Sequence, residues 1–139
     1  MHEVVGIGID LVDCGRIERM LADHGQAFLD RVYTPGEQAY CGRSRNQIER
    51  LAARYAAKEA VARYAAKEAV LKALGTGMRD GMSWTEIEVS HDALGAPVVT
   101  LHGEVARVAA ARGVGRLAVS LTHAGGLAMA EVMALGTAG

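Results

Sequence analysis

The chain has 139 residues, half of them hydrophobic and 22% charged, with a formal net charge of −1. That length suits a single domain, 1–139, with enough apolar material for a real core, and the near-zero net charge with few aromatic residues argues against nucleic-acid binding. Cys14 and Cys41 lack metal-ligand spacing, so a reduced, cytoplasmic setting is the expectation.

The opening MHEVVGIGIDLV has no basic leader and no long apolar run, so neither a signal peptide nor a membrane span is expected. VVGIGIDLV, 4–12, is rich in β-branched residues and reads as a buried strand ending near Asp10, with Gly6 and Gly8 free to admit a close neighbour. GRIERMLADHG follows as a helix with Ile17, Met20 and Leu21 on one face and Gly25 as its stop. YTPGEQAYC starts another helix, with Thr34 as cap and Pro35 in the first turn. GRSRN is a polar loop. From 47 to 74 the chain is rich in Ala, Arg, Lys and Glu without Gly or Pro, which predicts one long helix. After the loop GTGMRDGMS come two strands, TEIEVSHD and APVVTLHG, around a DALG turn, and then the helix EVARVAAARG. RLAVSLTH and LAMAEVMAL are the last strands, joined at AGG. The order predicts an α+β domain, a largely antiparallel sheet packed against a long helix.

Within that helix the nonapeptide ARYAAKEAV is written twice without change, over 53–70. Nine residues rotate a helix by about 900°, leaving about half a turn, so the two copies face opposite ways on one straight helix. Ile48, Leu51 and Tyr55 form a stripe upstream, and Leu71 and Leu74 fall on the opposite side downstream. Removing nine residues nearly realigns them. Three accommodations follow: the upstream part displaced toward GRSRN with the second copy in the working place, the second copy bulged out before Gly75, or an elongated helix swapped between subunits. The first is expected, because polar loops tolerate added length while the second copy runs directly into LKALGTG. The repeat reads as either natural or engineered.

Several residues carry chemistry. Asp10, an acid at the end of an apolar strand, fits either a helix cap or a divalent-metal ligand. Lys67, Glu68 and Lys72 lead into the Gly75–Thr76–Gly77 loop; Glu68 and Lys72 fit an i,i+4 ion pair, or a metal ligand and a cation beside a diphosphate. Backbone amides of the glycine loop are suited to meeting phosphate. His123, ending SLTH, is either a ligand contact or an exposed strand-end histidine. Arg16 and Arg19 suit docking of an acidic helix, with Met20 either beside them or in the core. Between 43 and 72 eight basic residues face three acidic ones, net +5, which suits an anionic ligand or partner or a solvated helix face.

GIGIDLVDCGRIERM, YTPGEQAYC, RLAARYAAKEAVLKALGTG with one repeat removed, WTEIEV, GAPVVTLHG and VSLTHAGGLAMAEV together resemble the holo-[acyl-carrier-protein] synthase family, the small bacterial 4′-phosphopantetheinyl transferases. The resemblance spans nearly the whole chain and implies that family's fold. It implies transfer of the phosphopantetheine arm of coenzyme A to a serine of apo-acyl carrier protein, releasing adenosine 3′,5′-bisphosphate. It implies Mg²⁺ held by Asp10 and Glu68, or by Glu59 in place of Glu68 if the first copy fills the seat. It implies a homotrimer with coenzyme A in clefts between subunits, lined by Arg63, Lys67, Lys72, Gly75, Thr76, Gly77 and His123. Lys67 and Glu68 are the catalytic residues by the same match, the base being Glu68 or a water on the metal. Arg16, Arg19 and Met20 are assigned to the carrier protein, which serves fatty-acid or polyketide synthesis. The alternative is a non-catalytic coenzyme A or carrier-protein binding module, crippled by the duplication.

Overall fold

The computed structural model describes residues 3–41 and 49–137, with the backbone alone for 49–57. The GRSRN loop, and with it the displacement expected there, lies outside the described residues. The elements run β1 (Val4–Asp13), α1 (Cys14–His24), α2 (Gln26–Val32), α3 (Pro35–Cys41), α4 (Glu49–Leu74), a 3-10 turn (Trp84–Glu86), β2 (Ile87–His91), β3 (Pro97–Leu101), α5 (Gly103–Ala111), β4 (Val114–Ala124) and β5 (Leu127–Gly136). The strands form a three-stranded antiparallel sheet, β1-β5-β4, and an antiparallel hairpin, β2-β3. The α+β architecture expected from the sequence is the one observed. Helix α2 was not foreseen: it follows Gly25 directly and buries Phe28 and Val32.

Local chemistry sets these boundaries. Asp13 Oδ1 accepts from the Gly15 amide at 2.8 Å and caps α1. Thr34 and Glu37 cap α3 reciprocally: Thr34 Oγ1 accepts from the Glu37 amide at 3.1 Å, and Glu37 Oε1 from the Thr34 amide at 2.9 Å. Gly125 and Gly126, both at positive φ, make the two-residue turn between β4 and β5.

Helix α4 runs unbroken and lies across the inner face of the sheet, against β1 and β5. Alternation along the strands turns Val12, Ala128, Ala130, Val132 and Ala134 inward, all buried. A Cβ at Gly6 or Gly8 would fall on the carbonyl oxygens of Ala73 and Ala69. The close neighbour that these glycines admit is therefore the backbone of α4. The opposite face of the sheet carries Ile7, Ile9 and Leu11 of β1, 53–60% exposed, with Leu127 and Met129 of β5.

Candidate active site

Asp10 is the one acid among the inward residues of β1, only 7% exposed. Since Asp13 caps α1, the capping reading of Asp10 falls away. Lys72 reaches across from the last turn of α4, donating to Asp10 Oδ1 at 2.8 Å and to the Ile9 carbonyl at 3.0 Å. Its side chain remains 55% exposed, so the ammonium also faces solvent. Asp10 Oδ2 is buried and has no hydrogen-bond partner.

Glu68, one turn before Lys72, is the second carboxyl of the site. Burial pushes its pKa up first; a hydrogen bond from Tyr64 works downward, the nearby Asp10 carboxylate adds to the rise, and Arg16 opposes it. Arg16 of α1 places Nη2 3.7 Å from Glu68 Oε1 and donates to the Tyr64 hydroxyl at 3.3 Å. Burial, and then the hydrogen bond to Glu68, push the Tyr64 phenol up to about 12. Asp10, Glu68, Lys72, Arg16 and Tyr64 thus form one cluster between β1, α1 and α4.

The copies of the repeat meet different surroundings. Glu68 of the second copy stands beside Asp10, while Glu59 of the first copy binds Arg63 Nη1 at 2.6 Å. Half a turn separates them, as nine residues require. The residues fit a divalent cation. Two adjacent carboxyls with one orphaned buried oxygen lack a positive partner on that side, and a Mg²⁺ ion characteristically takes one or two protein carboxylates, leaving its other positions to water and phosphate. Among the described residues no cluster of three or more His, Cys, Asp or Glu side chains gathers.

Comparison with known proteins gives this cluster a family. The model of the 4′-phosphopantetheinyl transferase superfamily matches residues 6–128. The holo-[acyl-carrier-protein] synthase of Solibacter usitatus is 45% identical over 130 residues, covering 94% of this chain and 97% of its own. The chain belongs to the holo-[acyl-carrier-protein] synthase family. Among solved structures, the Plasmodium yoelii acyl carrier protein synthase with ADP bound superposes with a TM-score of 0.81 at 31% identity, covering 99% of both chains. The Helicobacter pylori holo-[acyl-carrier-protein] synthase in complex with coenzyme A gives 0.75 at 28% identity, covering 92% of this chain and 98% of that one.

Membership in the holo-[acyl-carrier-protein] synthase family makes the chain an enzyme, but not every expected site residue stands at the cluster. Lys67, expected to be catalytic, is fully buried on another side of α4, its ammonium taken up by four acceptors. Arg63, expected on phosphate, is 1% exposed, bound by Glu59 and lying over the Tyr40 ring at 4.5 Å. The +5 stretch is therefore less basic at the surface than its composition suggests. In the Gly75–Thr76–Gly77 loop the Gly75 amide donates to Lys72 O at 3.0 Å and the Thr76 amide to Leu71 O at 3.1 Å, closing α4 in a Schellman cap. Those two amides are spent on the helix instead of being offered to phosphate. Gly77 follows at positive φ.

His123 lies on β4, the far edge strand from β1, with Nε2 3.0 Å from the Lys58 carbonyl; it lines a cavity of about 120 Å³ with Cys14 and Lys58 and does not join Asp10 within one chain. On α1, Arg16 and Arg19 are exposed, while Met20 packs partly buried against the core. Tyr64 went unassigned in the sequence, although its i,i+4 spacing to Glu68 was a signal that both share one helix face.

Proposed function

We propose that this chain transfers the 4′-phosphopantetheine arm of coenzyme A to a serine hydroxyl of apo-acyl carrier protein, dependent on Mg²⁺ and releasing adenosine 3′,5′-bisphosphate. The observation that carries the reading is the pairing of Asp10 with Glu68 under the Lys72 ammonium in a chain of this family. Asp10 and Glu68 would hold the Mg²⁺, whose charge offsets that of the diphosphate. Lys72, tied to Asp10 yet open to solvent, adds a fixed cation beside the diphosphate. The serine oxygen forms a bond to the phosphorus carrying the pantetheine arm, and the bond from that phosphorus to the bridging oxygen breaks. The bridging oxygen leaves on adenosine 3′,5′-bisphosphate. Glu68 is the carboxylate this chain offers for the hydroxyl proton. Arg16 and Arg19 present positive charge on α1 to the acidic carrier protein.

The working form in this reading is a cytoplasmic homotrimer of single-domain subunits. The exposed apolar face of β1 and β5 supports it, since Ile7, Ile9 and Leu11 otherwise stand in water. Association also gives His123 a place, in a cleft shared with a neighbouring copy. The fatty-acid carrier is the proposed acceptor. Among the described residues no helix is long and apolar enough to cross a membrane. Intact-mass analysis of apo-acyl carrier protein incubated with this chain, coenzyme A and Mg²⁺ is the test. A gain of one phosphopantetheine arm that vanishes with chelator is expected. Retained coenzyme A binding without any gain would overturn transfer in favour of the binding-module reading.

A further inference from the structure

The chemistry above makes no use of the buried ionic node around Lys67. Lys67 Nζ donates to the carbonyls of Val32 at 2.7 Å, Ile87 at 2.7 Å and Trp84 at 3.1 Å, and to Glu37 Oε1 at 2.6 Å. An ammonium has three protons, so these four acceptors leave none over. Glu37 is itself held by backbone amides: Oε1 also takes the Thr34 amide at 2.9 Å and Oε2 the Val89 amide at 3.0 Å. Thr34 in turn donates its hydroxyl to Glu88 at 2.7 Å. One position of α4 is thereby fastened to the end of α2, the start of α3, the 3-10 turn and β2.

Beside Val61, Val70, Leu71 and Leu74, which are buried as well, much of the rest of the α4 interface is smooth. Ala60, Ala62, Ala65, Ala66, Ala69 and Ala73 are all buried, and alanine ridges are shallow. The approach at Gly6 and Gly8 is backbone against backbone, which sets the distance between helix and sheet more than the rotation of the helix. A carboxylate about 6–7 Å from the helix axis moves by about 2 Å when the helix turns by about 20°. Site groups must be held to within about 0.5 Å. Buried ion pairs gain little stability over apolar replacements, and registry is their best-attested use.

We propose that Lys67, together with Glu37, is a positioning residue that sets the rotation of α4 and so holds Glu68 against Asp10. The inference rests on reading Asp10 and Glu68 as the Mg²⁺ ligands. Lys67 leaves the helix one residue before Glu68, about 100° around it. A fault in the node is transmitted through the helix and not through the substrate.

The test is the paired variant Lys67→Met/Glu37→Leu, which removes both charges together. Circular dichroism and thermal unfolding establish that it folds. Mn²⁺ binding followed by electron paramagnetic resonance, and kcat and KM for coenzyme A, are then measured against the parent. The expected result is a folded protein with Mn²⁺ affinity down at least 5-fold, kcat down at least 10-fold and KM within 2-fold. Mn²⁺ affinity and kcat both within 2-fold of the parent would overturn the proposal, and so would a 10-fold rise in KM with kcat unchanged, which marks a substrate contact. Should the paired variant not fold, Glu37→Gln, which keeps a carbonyl for Lys67, is expected to show the same split at about 3-fold. An unchanged Glu37→Gln protein would overturn the node. A parent that binds Mn²⁺ but transfers nothing would refute the functional reading alone, and Mn²⁺ affinity in the variants would still decide the node.

Discussion

Because the nonapeptide is repeated without change, Glu68→Ala offers the chain a replacement: a slip of α4 by nine residues brings Lys58 and Glu59 into the seats of Lys67 and Glu68. The cost of the slip follows from what the other seats would receive. Leu71 and Leu74, each 2% exposed, would be replaced by Ala62 and Ala65, and Tyr64 would be driven into the buried seat of Ala73. Two buried Leu-to-Ala truncations cost about 2–5 kcal/mol each, hence about 4–10 kcal/mol together. At about 1.4 kcal/mol per factor of ten, even the lower figure leaves a slipped population of only about one in 10³. Glu59 therefore rescues Glu68→Ala to no more than about 0.1% of parental transfer.

Intact-mass rates of carrier-protein modification check this directly. Glu59→Ala is expected to stay within about 3-fold of the parent, since Glu59 faces Arg63 and stands apart from Asp10. Glu68→Ala is expected to fall by about 10³-fold or more. If Glu68→Ala kept several per cent of the parental rate, and the double Glu59→Ala/Glu68→Ala variant lost it, the slip would be cheap and the packing argument from Leu71 and Leu74 would be refuted.

Three other outcomes are expected. Gly8→Ala sets a methyl group on the Ala69 carbonyl, so unfolding free energy in urea should fall by about 1–3 kcal/mol or more, with a larger relative loss of activity because α4 is pushed off β1. Ile9→Glu, at a residue 53% exposed on the outer sheet face, should leave the fold intact by circular dichroism and reduce the proposed trimer to monomer in light scattering; an unchanged mass would refute that face as the interface. Arg19→Glu should raise KM for the carrier protein about 10-fold with kcat unchanged, and the effect should shrink at 0.5 M salt, where exposed charges are screened within about 4 Å.

The fold was legible because its signals are local. The β-branched run VVGIGIDLV, the helix-forming run before Gly75, and the turn residues at Asp92–Gly95 and Gly125–Gly126 each act through neighbouring residues, and each element appears where expected, though β1 is buried on one face only. Asp10 and Glu68 were singled out by the family resemblance; from the residues alone Asp10 fitted a helix cap as well as a metal ligand, and Glu68 an ion pair with Lys72. The sequence does not say which side of α4 faces the site, so it did not foretell that Lys67 and Arg63 are buried away from Asp10. Lys67 finds its partners 17 to 35 residues away in sequence, in the carbonyls of Trp84 and Val32 and in Glu37, and no spacing rule points to them. In the glycine loop the sequence did not show that the Gly75 and Thr76 amides meet the last carbonyls of α4, each of which requires a partner.

The repeat shows why motif and site are separable. Both copies contain the same lysine and glutamate, yet half a turn of helix assigns them opposite surroundings. Lys67 is enclosed and Lys58 is exposed; Glu68 stands beside Asp10 and Glu59 beside Arg63. The first copy even supplies a carboxylate to the second, since Glu59 neutralises a guanidinium that is 1% exposed and that burial alone would make costly. The seat on β1 exists once, built by Asp10 and by the glycines that admit α4, and the downstream leucines choose which copy reaches it. A duplicated motif in a helix therefore yields one site wherever the partner strand is single and the flanking core residues are not repeated with it.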